Sequence, residues 1–227
     1  MKLSELLDKI QQVSIDKNLS KPYVVGGIPR DRLLGDLSHI NDIDITTGNQ
    51  DSKILGKEFS LYMKDYNPLY KIMDDGHSSV FMGTVQIDFS NNFTIPGINK
   101  TNLENETFSR DFTCNSLLMS LDLKTVYDLT KRGVSDINNK ILDTCLSPEI
   151  TLKTDPKRII RAIYLSSKLG FSLSNDLSSW IKENSFELKK VENEYKIKKL
   201  RKALSFNREN TLSLIKELNL MNYLPVI

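Results

Sequence analysis

"YVVGGIPRDRLLGDLSHINDIDITTG" (residues 23–48) carries the decision about the fold. "PYVV" is a short apolar run stopped by Gly26-Gly27, so it reads as a strand. Pro29 suits the first turn of a helix and Gly35 suits its end, which makes "PRDRLLG" a short helix. "NDIDIT" then alternates with period two, as a strand does. Asp42 and Asp44 therefore share one strand face, roughly 7 Å apart along the chain, opposite Ile43 and Ile45. Like charges on one face raise each other's pKa unless a cation stands between them or water screens them.

A divalent cation resolves the repulsion well, and hard ions such as Mg²⁺ prefer carboxylate oxygen. "TVQIDFS" supplies a second alternating strand, with Val85, Ile87 and Phe89 on one face and Gln86, Asp88 and Ser90 on the other. Asp88 is thus a candidate third carboxylate, and three can hold two metal ions for in-line phosphoryl transfer. Gly26 and Gly27 expose backbone N–H groups just before a helix N-terminus, a candidate triphosphate cradle. Arg30 and Asp31 follow on that helix, placed to pair with phosphate or sugar. Each feature also has a plainer reading: a solvated strand edge, a tight strand-to-helix turn, surface charge. The residues alone leave both readings open.

Outward from this stretch, Leu3, Leu6, Leu7, Ile10 and Val13 recur at helical spacing and predict an amphipathic helix over 2–16. "SNNFTIPGINKTNLENETF" (residues 90–108) has no sustained period and reads as a loop. "RDFTCNSLLMSL" reads as a helix start, and "TVYDL" and "KILDT" read as strands. From Pro148 the pattern is helical to the end, with Asp155-Pro156 an N-cap and N1 pair and Gly170 a C-terminal stop. "ELKKVENEYKIKKLRKALS" and "NRENTLSLIKELNL" are two further predicted helices. The pattern changes near 147, which divides the chain into a mixed α/β domain (1–147) and a helical one (148–227).

With 227 residues the chain is long enough to bury a substantial core. A net charge of +2 makes no global basic field, so a nucleic-acid partner would have to meet a local patch. Cys114 and Cys145 lack metal-ligand spacing and read as reduced intracellular thiols. The charged N-terminus is no signal peptide, and no apolar run approaches the ~18 residues of a membrane span. A cytoplasmic protein with no membrane partner is the expectation. His39 and His77 have no spacing that suggests a metal or a base.

"GGIPRDRLLGD" followed by "DIDIT" resembles the head of the class II tRNA nucleotidyltransferase (CCA-adding) and bacterial poly(A) polymerase family, within the DNA polymerase β-like superfamily. "SRDFTCNSLLMS", "VYDLTKRGVSDINNKILDT" and "TDPKRIIRAIYLSSKLGFSL" are similar to three later motifs of that family, in its order, across residues 23–171. The resemblance implies an α+β fold: a nucleotidyltransferase head, a small mixed β-sheet flanked by helices, followed by an all-helical neck. It also implies a reaction: C and/or A added from CTP or ATP to the 3′ end of tRNA, with two Mg²⁺ ions and release of pyrophosphate. Asp42 and Asp44 match the family's metal-binding pair, and Asp88 stands where its third acid lies. Gly26, Gly27 and Arg30 match the triphosphate-binding stretch, with Asp31 next to them as a further nucleotide-binding candidate. Arg110, Asp111 and Asn115 match the segment touching ribose and phosphates. Asp155 and Arg158 match the pair that reads the incoming base, with Arg161 on the same helix. For these last three, a helix cap and solvated charges are the plainer readings.

The sequence departs from the family at three places. Thr154 stands where the base-reading motif has Glu, and Ser109 replaces the first of two arginines before Asp111. The stretch between Asp88 and Arg110 is short, which resembles enzymes that add C alone. The sequence ends where a neck would end, so the family's body and tail domains are expected to be largely absent. Lys189, Lys190, Lys196, Lys198, Lys199, Arg201 and Lys202 are either a solvated helix surface or phosphate contacts for RNA. A homodimer or an accessory RNA-binding subunit is a further expected source of grip. Poly(A) addition and a non-catalytic RNA- or nucleotide-binding role are the alternatives to CCA addition.

Overall fold

Leu6, Leu7, Ile10 and Val13 line one face of helix α1 (Leu3–Asp16) and are all buried. The computed structural model describes residues 1–37, 40, 42–74, 76–90 and 101–225. Strand β1 (Tyr23–Val25) runs into helix α2 (Gly27–Leu34), which Gly35 closes in the left-handed conformation. Strand β2 (Asp42–Thr46), helix α3 (Asp51–Tyr62) and strands β3 (Leu69–Ile72), β4 (Ser78–Met82) and β5 (Val85–Phe89) follow. Helix α4 (Asn102–Ser109) and the short strands β6 (Leu118–Met119) and β7 (Val126–Tyr127) complete the first of two compact units, residues 1–110 and 115–133.

The seven strands form one mixed sheet in the order β3-β4-β5-β2-β1-β6-β7. Within this sheet, among the described residues, β2 pairs with β5 in parallel and the other neighbours pair antiparallel. Alternation sorts the two faces. Ile43, Ile45, Val80, Ile87 and Phe89 join α1 and α3 in one buried cluster, which leaves Asp42, Asp44 and Asp88 on the opposite side. Helix α3 lies close on the sheet at Gly56, where a Cβ would stand 2.7 Å from Ser78 Oγ and 2.8 Å from the Phe89 ring. Gly56→Leu is therefore expected to lower stability by about 1–3 kcal/mol through overpacking. Urea unfolding of the two chains checks this, and an unchanged midpoint would count against the close approach.

The second unit comprises residues 111–114 and 134–227. It contains helix α5 (Gly133–Asn138), strand β8 (Ile141–Leu142), helix α6 (Pro148–Thr154), helix α7 (Lys157–Leu169), strand β9 (Ser172–Leu173) and helices α8 (Asn175–Glu183), α9 (Asn193–Phe206) and α10 (Arg208–Glu217). Ile159, Ile160, Ala162 and Ile163 of α7 are buried, as are Leu200 and Ala203 of α9. The pattern change near 147 falls inside this unit.

Four local expectations need correction. Within 90–108, residues 102–109 form α4; Thr101 and Glu104 close a capping box across its start, a signal visible in "TNLE". Residues 91–100 of that stretch lie outside the described residues. "RDFTCNSLLMSL" makes a 3₁₀ turn at Thr113–Asn115 and then β6, because a brief apolar run suits a buried strand as well as a helix. The helical tract after 147 is interrupted by β9, which pairs in parallel with β8. The helix read over 187–205 is broken by extended Val191, with a 3₁₀ segment before it and α9 after it.

Candidate active site

β2 is the central strand of the site. Asp44 lies in register with Asp88 on parallel β5 and with Val25 on antiparallel β1. Asp42 is exposed and Asp44 half-buried, while Ile43 and Ile45 between and beyond them are buried. The Asp88 carboxylate is engaged by its neighbours. Ser79 Oγ donates to Oδ1 at 2.6 Å, and Gln86 Nε2 donates to both oxygens at 3.0 Å. His77 Nε2 stands 3.9 Å from the same carboxylate, a contact that strand pairing made and sequence spacing did not show. His39 lies outside the described residues.

Gly26 has φ 79° and ψ −128°, a conformation open essentially to glycine alone. A Cβ there would collide with the Asp44 carboxylate, and Arg110 Nη1 would stand 3.5 Å from it. The double glycine thus does two jobs: it turns β1 into α2 and lets a carboxylate lie against bare backbone. Arg30 is buried on the first turn of α2. Its Nη1 donates to Asn115 Oδ1 at 2.5 Å and its Nε to Asp31 Oδ1 at 2.8 Å. Arg110 ends α4, and its Nη2 donates to Glu106 Oε1 at 2.8 Å and to Ser90 Oγ at 3.2 Å. Gly26, Gly27, Arg30, Asp31, Asp42, Asp44, Asp88, Arg110 and Asn115 therefore all belong to the first unit.

Asp42 and Asp44 suit a hard divalent ion by the chemistry of their oxygens. Among the described residues, however, no three or more His, Cys, Asp or Glu side chains gather as an ion-binding group. Asp88 is in register with Asp44, yet its oxygens are turned to Ser79 and Gln86. Two carboxylates fit Mg²⁺, which typically takes one or two of them and completes its shell with water and substrate phosphate.

The other predicted residues lie in the second unit. Arg161 Nε donates to Asp111 Oδ2 at 2.6 Å, and the Asp111 charge raises the Arg161 pKa further, so the guanidinium stays charged at every working pH. Asp155 Oδ1 accepts the Lys157 N–H at 3.0 Å, and its Oδ2 lies 3.9 Å from Arg158 Nε. The expected cap is shifted by one residue: α7 begins at Lys157 with Pro156 at its N-cap position, and Asp155 stands just before it, accepting the first N–H of the helix. Thr154 Oγ1 donates back to the Ile150 carbonyl. Burial raises the phenol pKa of Tyr195 on α9, and the positive charge of Arg161 works against that rise. Sequence reading missed Tyr195, because nothing local marks a tyrosine that meets an arginine from another helix.

The basic residues read over 189–202 divide between the 3₁₀ segment before α9, which holds Lys189 and Lys190, and α9 itself. Lys196 is buried, and its ammonium donates to the Leu188 and Tyr223 carbonyls, so it is withdrawn from the predicted RNA contacts. Burial lowers its pKa, and burial beside Arg161 lowers that of Lys199, whose Nζ lies 4.9 Å from the Tyr164 ring centre. Lys190 pairs with Glu187 at 2.6 Å, and Lys189 lies over the Tyr223 ring. Lys198, Arg201 and Lys202 are exposed. Cys114 and Cys145 are buried free thiols. No helix among the described residues is long and apolar enough to cross a membrane.

A CCA-adding enzyme of Staphylococcus aureus is 28% identical over 216 residues, covering 93% of this chain and 53% of that protein. A tRNA nucleotidyltransferase of Schizosaccharomyces pombe is 27% identical over 209 residues, covering 80% of this chain and 42% of that protein. The crystal structure of the Bacillus stearothermophilus CCA-adding enzyme in complex with CTP superimposes with a TM-score of 0.79 at 27% identity, covering 99% of this chain and 55% of that one. The chain spans about half the length of these relatives. Residues 22–143 match the poly A polymerase head domain, a span holding both strand carboxylates of β2, Asp88, the double glycine and Arg110. With that match over more than half of its length, the chain belongs to the poly A polymerase head-domain family of nucleotidyltransferases.

Proposed function

We propose that this chain catalyses template-independent nucleotide addition to the 3′ end of tRNA, using CTP and ATP to build a CCA end. The observation that carries the reading is the register of β2 and β5, which aligns Asp44 with Asp88 beside the glycine turn that opens α2. In the reaction the RNA 3′-hydroxyl oxygen bonds to the α-phosphorus as the bond to pyrophosphate breaks. Asp42 and Asp44 would hold Mg²⁺, two ions when the triphosphate is bound, with Asp88 as the third acid. Bound there, the metal supplies Lewis-acid stabilisation of the developing charge. Gly26 and Gly27 offer backbone N–H groups to the triphosphate at the N-terminus of α2. Arg30, anchored by Asp31 and Asn115, keeps that turn in place, and Arg110 adds positive charge beside Asp44.

In the same proposal residues 1–147 are the head and 148–227 the neck. Asp155 and Arg158 read the incoming base: a carboxylate accepts from an exocyclic amine, and a guanidinium donates to ring nitrogen or carbonyl. Asp111 holds Arg161 in support of them. Lys189, Lys190, Lys198, Lys199, Arg201 and Lys202 contact RNA phosphates, aided by a second copy or an accessory subunit, in the cytoplasm.

The test is incubation of tRNA transcripts ending in the discriminator base, in C and in CC with each labelled triphosphate and Mg²⁺. Label from CTP on the first two and from ATP on the third is expected. Addition of C alone would correct the reading to a CC-adding enzyme, and repeated A addition to a poly(A) polymerase. No transfer from any triphosphate would sink it in favour of a binding role. Initial rates should also fall steeply with added salt if the lysines meet phosphates.

A further inference from the structure

Helix α4 hides an acid that the proposed chemistry does not use. Glu106 is 1% exposed. Its Oε1 accepts from Arg110 Nη2 at 2.8 Å, while its Oε2 is buried with no hydrogen-bond partner among the described residues. Such an arrangement is a poor source of stability. A buried ion pair must offset the desolvation of both charges, and it does so only when every oxygen and N–H is well bonded. A buried polar atom left without a partner calls for an explanation, and a role in holding its neighbour is one.

The explanation lies in what Arg110 would do without Glu106. Arg110 is the C-cap of α4, with φ −69° and ψ 161°, so its backbone has already left the helix. A long side chain at such a position has many rotamers, and ordering it carries a large entropy cost. Glu106, four residues earlier on the same helix, meets the guanidinium, and Ser90 at the end of β5 shares the Nη2 donor. The opposite end of the guanidinium then lies beside the spot where Gly26 meets the Asp44 carboxylate.

We infer that Glu106 is a positioning residue: its buried carboxylate holds the Arg110 guanidinium beside Gly26 and Asp44, ready for the triphosphate. The inference rests on the nucleotidyl-transfer reading above for its ligand, but not for its geometry. Glu106→Gln keeps the shape and the Oε1 acceptor and removes the charge that aligns the arginine.

Two measurements on the full chain test it. In the first, ¹⁵N-arginine NMR of wild type and Glu106→Gln is compared, with Arg110→Lys identifying the Arg110 Nε–H signal. The signal should be sharp in wild type and broadened or averaged in Glu106→Gln, with the other arginine signals unmoved. An unchanged Arg110 signal overturns the inference. In the second, CTP and ATP affinities are measured with Ca²⁺ in place of Mg²⁺, so that no turnover occurs. Glu106→Gln should weaken binding about tenfold, the effect of losing one well-placed charge-assisted hydrogen bond. It should add nothing further in an Arg110→Ala background. A full additive loss in that background overturns the inference, as does a loss of thermal stability with affinity intact. A wild type that binds no triphosphate while its Arg110 signal still depends on Glu106 sinks the functional reading and leaves the positioning role standing.

Discussion

Asp44→Ala is expected to lower nucleotide incorporation on the order of 10³-fold or more, because the proposed metal seat would supply several kcal/mol of charge stabilisation and each ~1.4 kcal/mol is tenfold in rate. Asp42→Ala should fall in the same range. Asp44 occupies the central strand, in register with both β1 and β5, with its carboxylate against Gly26. The fold should persist, because Asp44 lies on the side of the sheet opposite the apolar cluster, so cooperative thermal unfolding is expected to be retained. Single-turnover transfer of labelled CTP to tRNA ending in C, beside thermal unfolding, checks both halves. Asp44→Asn adds a stricter control, since it keeps the shape and loses only the charge. Activity above a tenth of wild type in Asp44→Asn would rule out Asp44 as the metal ligand.

Gly26→Ala should have the second-largest effect, and for a different reason. An alanine at φ 79° and ψ −128° is strained by about 1–3 kcal/mol, and its Cβ would take the place of the Asp44 carboxylate. The carboxylate must turn away or the β1–α2 turn must open. Either movement displaces a reacting group by an ångström or more, enough to cost about 10²-fold in rate. Both a lowered unfolding midpoint and the rate loss are expected together. Gly35→Ala is the matched control, because Gly35 also has positive φ, at 82°, but nothing lies within 4 Å of its Cβ position. It should lose stability and keep transfer. Equal activity losses in the two variants would show that turn strain alone, rather than the carboxylate contact, governs the site.

The strands that build the candidate site were legible because their faces differ in chemistry. Ile43 and Ile45 against Asp42 and Asp44, and Ile87 and Phe89 against Asp88, leave one orientation that buries apolar surface. The turn between them was legible because Gly26, Gly27 and Pro29 each restrict the backbone in a way few contexts accept. Helix α4 was missed although "TNLE" states its start, since an Asn- and Thr-rich composition masked a short amphipathic segment. β7 and β8 were read from "TVYDL" and "KILDT", whereas β6 and β9, two residues each, were missed because they lie inside stretches whose pattern read as helical.

Along the chain, then, local chemistry settled the glycine turn, the paired carboxylates of β2 and the order of motifs that marks the family. Pairing and burial settled the rest. Asp88 became a neighbour of Asp44 only through parallel registration of β5 with β2, and was at the same time tied to Ser79 and Gln86. Lys196 left the basic surface because the body of α9 turned it inward toward two carbonyls. Glu106 meets Arg110, and Tyr195 feels the charge of Arg161, only in the folded chain. The physical reason is one of range: backbone propensity and face chemistry act over a few residues and are written in order, whereas register and desolvation depend on partners that only the folded chain brings together.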